Sequence, residues 1–226
     1  MQDPLTTAAV NVEGTLNVLL AARDEGVRRV VFASSSSVYG NQDALPLSEQ
    51  ARPDPISPYG VAKLAAERFC VSFSRVYPLE TIVLRYFNVF GPRQDPRSEY
   101  AAVVPRFIVE VAAGRPLPVY GDGEQRRDFT YVANVVEANL LAADAPDGNG
   151  AVVNVATGQA VSVNELADAI GRVLGRAVER RYLPPRPGDV RASWANVSAA
   201  RALLGWKPRV GLEDGLRLTA ESLVGS

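Results

Sequence analysis

Histidine is absent from the 226 residues. That excludes Ser-His-Asp triads, Cys-His nucleophiles and every histidine-ligated metal site. Cysteine occurs once, as Cys70, so one chain forms neither a disulfide framework nor a thiolate metal cluster. Lysine is nearly missing: Lys63 and Lys207 stand among 24 basic residues, the rest being arginine. The net charge is −1, which leaves no broad basic field for nucleic acid. No run approaches the roughly 20 apolar residues of a membrane span. The first residues, MQDPLTTAAV, read as neither a signal nor a transit peptide. The expectation is a cytoplasmic protein with no nucleic-acid and no membrane partner. Proton transfer, if any occurs, falls to Tyr, Lys, Asp or Glu.

What is present is an ordinary globular composition, 47% hydrophobic and 22% charged, with enough chain to bury a substantial core. The 3–4 spacing of Leu5, Ala9, Val12, Leu16, Leu19 and Leu20 predicts a helix over 4–25, stopped at Gly26. Arg29–Ala33 reads as a short buried strand that runs into four serines, 34–37. Residues 41–57 form a Pro/Asp/Ser loop. Ser57-Pro58 supplies an N-cap and a first-turn proline for a helix from Tyr59 to about Tyr77. Thr81–Tyr86 is a second β-branched strand. Helix, strand, helix, strand at this spacing is the pattern of a parallel α/β sheet with crossover helices.

The texture changes after Gly91-Pro92, where a polar loop occupies 92–100. Helices follow at 101–113 and about 131–143, strands at Leu117–Tyr120 and Val152–Val155. Ser162–Glu165 is a capping box for a helix to about Leu174, Arg186–Asp189 a turn, and two short helices close the chain. Cys70 and the two tryptophans, Trp194 and Trp206, read as packing residues.

Tyr59 and Lys63 lie four apart on one helix and share a face. The tyrosine sits at the electropositive helix start, after a strand end where open α/β sheets place ligands. A free tyrosine, with a pKa near 10, is a poor base. An ammonium about 4 Å away contributes on the order of 4 kcal/mol at an effective dielectric of about 20, roughly three pKa units. The expectation is a tyrosine acidified by Lys63 that takes a proton from a substrate hydroxyl, with a serine orienting that oxygen.

Three ordered stretches, Ser34-Ser35-Ser36-Ser37-Val38-Tyr39-Gly40, Ser57-Pro58-Tyr59-Gly60-Val61-Ala62-Lys63 and Leu84-Arg85-Tyr86-Phe87-Asn88-Val89-Phe90-Gly91-Pro92, resemble the extended short-chain dehydrogenase/reductases. Within them the chain is similar to nucleotide-sugar 4-epimerases of the UDP-glucose / UDP-N-acetylglucosamine type. Gly121-Asp122-Gly123, Arg126-Arg127-Asp128-Phe129 and Arg186-Pro187-Gly188-Asp189 extend the likeness over nearly the whole chain.

The resemblance implies an α/β fold: the C-terminal part of a Rossmann-type doubly wound parallel sheet plus a smaller α/β substrate domain. Residues 1–91 would belong to the NAD-binding unit, with about 128–156 returning to it, and 92–226 to the nucleotide-sugar unit. It also implies NAD as cofactor, a UDP-sugar as substrate and a homodimer. Ser35, Tyr59 and Lys63 take the catalytic positions, with Tyr59 as the proton carrier and Lys63 on the nicotinamide ribose. Asn11 and Phe87 fall on cofactor positions. Ser36 and Asn88 fall on the sugar and the diphosphate, Val103 and Tyr120 on the uracil pocket. Arg127 and Arg186 would clamp the diphosphate, and Asp189 would accept from the uridine ribose. Ser193 matches a gating position whose small side chain leaves room for a 2-N-acetyl group.

The implied reaction is 4-epimerisation of a UDP-hexose through a transient 4-keto sugar. The related 4,6-dehydratases carry Asp-Glu where this chain has Ser36-Ser37, and the decarboxylating relatives carry Glu at the position of Ser37. UDP-glucuronate 4-epimerases share the serine run, with Thr usual at the position of Asn88, and stay open as an alternative. The family's N-terminal strand, its G-x-x-G-x-x-G loop and its acidic ribose-binding residue are not found in these 226 residues. A second reading therefore stands: a truncated, inactive remnant that at most binds nucleotide sugar, poorly soluble or self-associated and free of NAD.

Overall fold

The structure, a computed structural model, describes residues 3–96, 102–186 and 190–225. The helices are α1 (Pro4–Ala8), α2 (Gly14–Asp24), α3 (Pro58–Val76), α4 (Val103–Ala112), α5 (Val132–Asp144), α6 (Val163–Leu174), α7 (Ser198–Leu204) and α8 (Leu212–Val224). The strands are β1 (Arg29–Ser35), β2 (Glu80–Tyr86), β3 (Val89–Phe90), β4 (Leu117–Tyr120), β5 (Arg126–Arg127), β6 (Thr130–Tyr131), β7 (Ala151–Val155), β8 (Val161–Ser162), β9 (Arg180–Leu183) and β10 (Ala192–Ser193).

Strands β1, β2 and β7 pair in parallel in that order. The side chains of β2 alternate as a buried strand requires. Val83 faces the layer of Leu19, Cys70 and Phe73 on α2 and α3, whereas Ile82 and Leu84 face Ala138, Ala142 and Trp206. The sheet is therefore covered on both faces, as crossover helices dictate for parallel strands. Burial pushes the Cys70 thiol up to about 12, consistent with a packing residue. Trp206 is buried, and its indole N–H donates to the Asn134 carbonyl at 3.0 Å.

A second core lies around α4, α6 and α8, with Phe107, Ile108, Leu166, Ile170 and Leu216 at its centre. The capping box is present: Ser162 Oγ accepts from the Glu165 N–H, and Glu165 accepts from the Ser162 N–H. Two-residue strands form small sheets apart from the main one. Strand β6 pairs with β3, and β5 lies between β10 and β8. Pattern reading misses these strands, because two residues carry no periodicity. The expected turn at 186–189 lies largely outside the described residues.

The predicted helix over 4–25 is not regular. Between α1 and α2, Ala9–Glu13 widen into a π-helical turn around Asn11. There Asn11 Nδ2 donates to the Thr7 carbonyl at 3.0 Å, and the Thr15 hydroxyl donates to the Asn11 carbonyl at 2.7 Å. The stretch Pro4–Asp24, 21 residues with a mean hydropathy of 1.2, is by length and composition long and apolar enough to cross a membrane. This corrects the expectation that no run comes near. One face of the stretch packs inward through Leu16, Leu19 and Ala22.

Candidate active site

The site starts at the C-terminal end of β1, where the serine run leaves the sheet. Ser35 Oγ caps a short 3-10 turn, accepting from the Ser37 N–H at 3.2 Å, and donates to Ser37 Oγ at 3.0 Å. Helix α3 begins beside this turn. Pro58 fills its first position, and the Ser57 hydroxyl accepts from the Gly60 N–H at 3.1 Å. Gly60 lets the two segments touch, since a Cβ there would stand 2.6 Å from the Ser37 carbonyl oxygen. The approach sets the Tyr59 phenol near enough to the Ser35 hydroxyl for it to lower the phenol's pKa.

Lys63 is one turn further along. Its Nζ donates to the Ala33 carbonyl at 3.1 Å and lies 5.1 Å from the centre of the Phe32 ring and 5.8 Å from that of Tyr59. Burial pushes the ammonium's pKa down. Burial also pushes the Tyr59 phenol up from 10.0, and the nearby Ser35 hydroxyl opposes it. This direction is opposite to the acidification expected from helical spacing. Helical spacing puts the two side chains on one face, but the ammonium reaches past the ring to β1. Among the described residues no carboxylate pairs with it.

Two cavities that share Asn88 and Arg127 lie beyond the serine turn. The first, about 240 Å³, is lined by Ser36, Ser37, Asn88, Arg127, Val190 and Ser193, among others. Ser193 lies in β10 directly opposite Arg127 in β5, and is buried. The second, about 180 Å³, brings Val103, Arg106, Tyr120, Arg127 and Arg186 together with Asn88. The Arg186 guanidinium lies over the Tyr120 ring at 3.8 Å. Arg186, with Arg106 behind it, holds the Tyr120 hydroxyl below the ordinary phenol range.

The backbone of Asn88 is in the left-handed region, φ 31°, and its side chain donates to the Asp128 carbonyl at 3.0 Å. Asp128 went unassigned in the sequence reading, although its motif was visible. Fully buried, its carboxylate accepts from Thr157 N at 2.7 Å, Thr157 Oγ1 at 2.6 Å and Gly158 N at 2.8 Å. It thereby ties the strand carrying Arg127 to the end of β7. Arg106, which no motif marked, also lines the second cavity.

Other candidates stand apart. Asn11 packs in the π-helical turn against α3 and lines neither cavity. The Phe87 ring is fully buried, 6.1 Å from that of Tyr39, so it supports the floor of the site and presents no open face. Asp189 lies outside the described residues.

Residues 1–156 match the NAD dependent epimerase/dehydratase family. The chain belongs to that family. Its members use NAD. The UDP-glucose 4-epimerase of Mycolicibacterium smegmatis is 42% identical over 222 residues, 98% of this chain and 70% of that protein. Among solved structures, the UDP-N-acetylglucosamine 4-epimerase from Methanobrevibacter ruminantium, in complex with UDP-N-acetylmuramic acid, is 39% identical with a TM-score of 0.94. The alignment covers 98% of this chain and 71% of that one. The UDP-glucose 4-epimerase of Thermotoga maritima, solved with UDP-glucose, is 42% identical with a TM-score of 0.93, over 97% and 71% of the two chains. These neighbours share the parallel Rossmann-type architecture. The chain thus spans about 70% of the length of the relatives it matches.

The donor set fits one end of the family's cofactor. An ammonium with no carboxylate partner among the described residues and a phenol stand together at the C-terminal edge of a parallel sheet, and a ribose diol needs such donors.

Proposed function

We propose that this chain acts in NAD-dependent 4-epimerisation of a UDP-hexose. The observation that carries the reading is Tyr59 and Lys63 together on α3, the ammonium 5.8 Å from the centre of the phenol ring, beside the serine turn whose Ser36 and Ser37 line a cavity with Arg127. When bound, NAD supplies the acceptor and donor of the C4 hydride. Lys63 holds the nicotinamide ribose. Ser35 orients the sugar 4-hydroxyl, and Tyr59 removes its proton and later returns it to the epimeric alcohol. Ser36 faces the sugar. Asn88, Arg127 and Arg186 hold the diphosphate, so that the sugar turns over without leaving. Val103 and Tyr120 form the wall for the base.

Apolar side chains on the outer face of the helices fit the homodimer that the resemblance implies. Leu5 is 82% exposed, Val10 66%, Val61 53% and Phe69 36%.

The reading is tested by supplying the purified chain with NAD and UDP-galactose and following UDP-glucose. Turnover that disappears in Tyr59→Phe supports it. UDP-sugar binding without turnover supports the competing expectation of an inactive binding remnant and overturns the catalytic reading.

A further inference from the structure

Tyr59, Lys63 and Glu67 follow one another at four-residue intervals on α3, so they share one stripe of the helix. Two of the three contact the end of β1: Lys63 donates to the Ala33 carbonyl, and Glu67 accepts from the Ser34 hydroxyl. Lysine and glutamate at this spacing ordinarily pair with each other. Here Arg85 takes both oxygens of the Glu67 carboxylate instead, Nε on Oε1 and Nη2 on Oε2. Ser34 and Arg85 stand opposite one another on β1 and β2. The carboxylate is therefore held toward the two strands, and the Lys63 ammonium is not claimed by it. Ser34, Glu67 and Arg85 are all buried and line neither cavity.

A buried ion pair adds little net stability over apolar packing, but its directional bonds select one arrangement. Arg85 fixes the plane of the Glu67 carboxylate, and the Ser34 hydroxyl then has one place to donate. That bond ties α3 to the residue immediately before Ser35. The close approach of Gly60 to the Ser37 carbonyl limits how near helix and turn can come. A glycine has no side chain, however, with which to set the rotation of the helix about its axis. Tyr59 carries its hydroxyl at the end of a long side chain, so a small rotation of α3 displaces that oxygen by a distance that proton transfer does not tolerate.

We propose that Glu67 is a positioning residue: through the Ser34 hydroxyl it holds α3 in one rotation against β1 and so places Tyr59 beside the serine turn. The proposal rests on the reading of Tyr59 as proton carrier and adds the group that sets its place. Glu67 touches neither substrate nor cofactor in this role.

The test is carbon-13 NMR of the full 226-residue chain, labelled at the tyrosine ring carbon that bears the hydroxyl. Tyr59→Phe assigns the Tyr59 signal, and Ser35→Ala shows how that signal moves when the neighbouring hydroxyl is lost. Ser34→Ala removes the link while keeping Arg85 on Glu67. It is expected to move the Tyr59 signal in the same direction as Ser35→Ala, with the signal of Tyr182 on β9 left in place. Ser34→Thr, which keeps a hydroxyl, is expected to restore the wild-type signal. In assays with NAD and UDP-galactose, Ser34→Ala is expected to lower kcat about tenfold to a hundredfold, with KM within about twofold. A Tyr59 signal unmoved by Ser34→Ala overturns the proposal, even where the melting temperature falls, and leaves the proton-carrier reading intact. Equal movement at Tyr59 and Tyr182 would mean a general loosening and overturns it too. A signal unmoved by Ser35→Ala shows that Tyr59 does not answer to the serine turn, with the same result. If Ser34→Ala fails to fold, Ser34→Cys, of similar volume and a weaker donor, is read in its place. A wild-type chain that does not epimerise overturns the catalytic reading, while the NMR signals still decide what places Tyr59.

Discussion

Arg85 grips Glu67 with two parallel hydrogen bonds, Nε to Oε1 at 2.9 Å and Nη2 to Oε2 at 2.7 Å, and both side chains are buried. The pair joins β2 to α3 directly behind the serine run, because the Ser34 hydroxyl donates to Glu67 Oε1. The Arg85 guanidinium also lies over the Tyr39 ring at 4.7 Å, and its Nη1 has no hydrogen-bond partner. Removing one partner of a buried pair strands the other charge. Glu67→Ala is expected to lose about 3–5 kcal/mol in urea unfolding. A loss below about 1 kcal/mol would show the pair to be solvated in solution.

Tyr59→Phe removes the proposed proton carrier and almost no volume. Its expected effect is a fall in turnover of roughly 10²–10⁴-fold with UDP affinity unchanged. Retained turnover within about tenfold would move the proton chemistry elsewhere.

The same variant tests the electrostatics. Burial raises the Tyr59 phenol above 10.0 in the folded protein. A group raised on folding contributes stability that is fully present below its unfolded value and lost as pH climbs through its folded value. Subtracting the ultraviolet titration of Tyr59→Phe from that of the wild type, both without NAD, should isolate a phenol that ionises above its ordinary value. One that ionises below 10.0 would restore the acidification expected from helical spacing.

Cys70 is the chain's sole thiol, fully buried and pushed up to about 12. It should resist a thiol-reactive chromogenic disulfide at pH 8 in the folded chain and react at once in denaturant. Rapid reaction without denaturant would mean that α3 opens from the sheet.

Ser193→Tyr projects a ring from β10 into a cavity of about 240 Å³. The expectation is selective loss of 2-N-acetylated UDP-sugars with plain UDP-hexoses retained. Parallel losses on both classes would remove the gating role.

The sequence by itself determined the elements whose causes are local. The Ser57 cap, the Pro58 start and the Tyr59–Lys63 spacing all follow from hydrogen bonds and periodicity within a few residues, and α3 forms accordingly. The capping box of α6 and the apolar runs of β1 and β2 were legible for the same reason. Tertiary structure decided where the reaching groups end. Lys63 finds a carbonyl 30 residues away, and its ammonium stands 5.8 Å from the centre of the Tyr59 ring. Glu67 meets Arg85 18 residues on, and Asp128 gathers Thr157 and Gly158 from about 30 residues downstream. The Phe87 ring turns into the core, and Arg106 enters a cavity whose other walls come from β4, β5 and the segment after β9. No local pattern encodes such meetings. They depend on which strands lie side by side, and two-residue pairings such as β5 with β10 are formed only once the surrounding core holds them there.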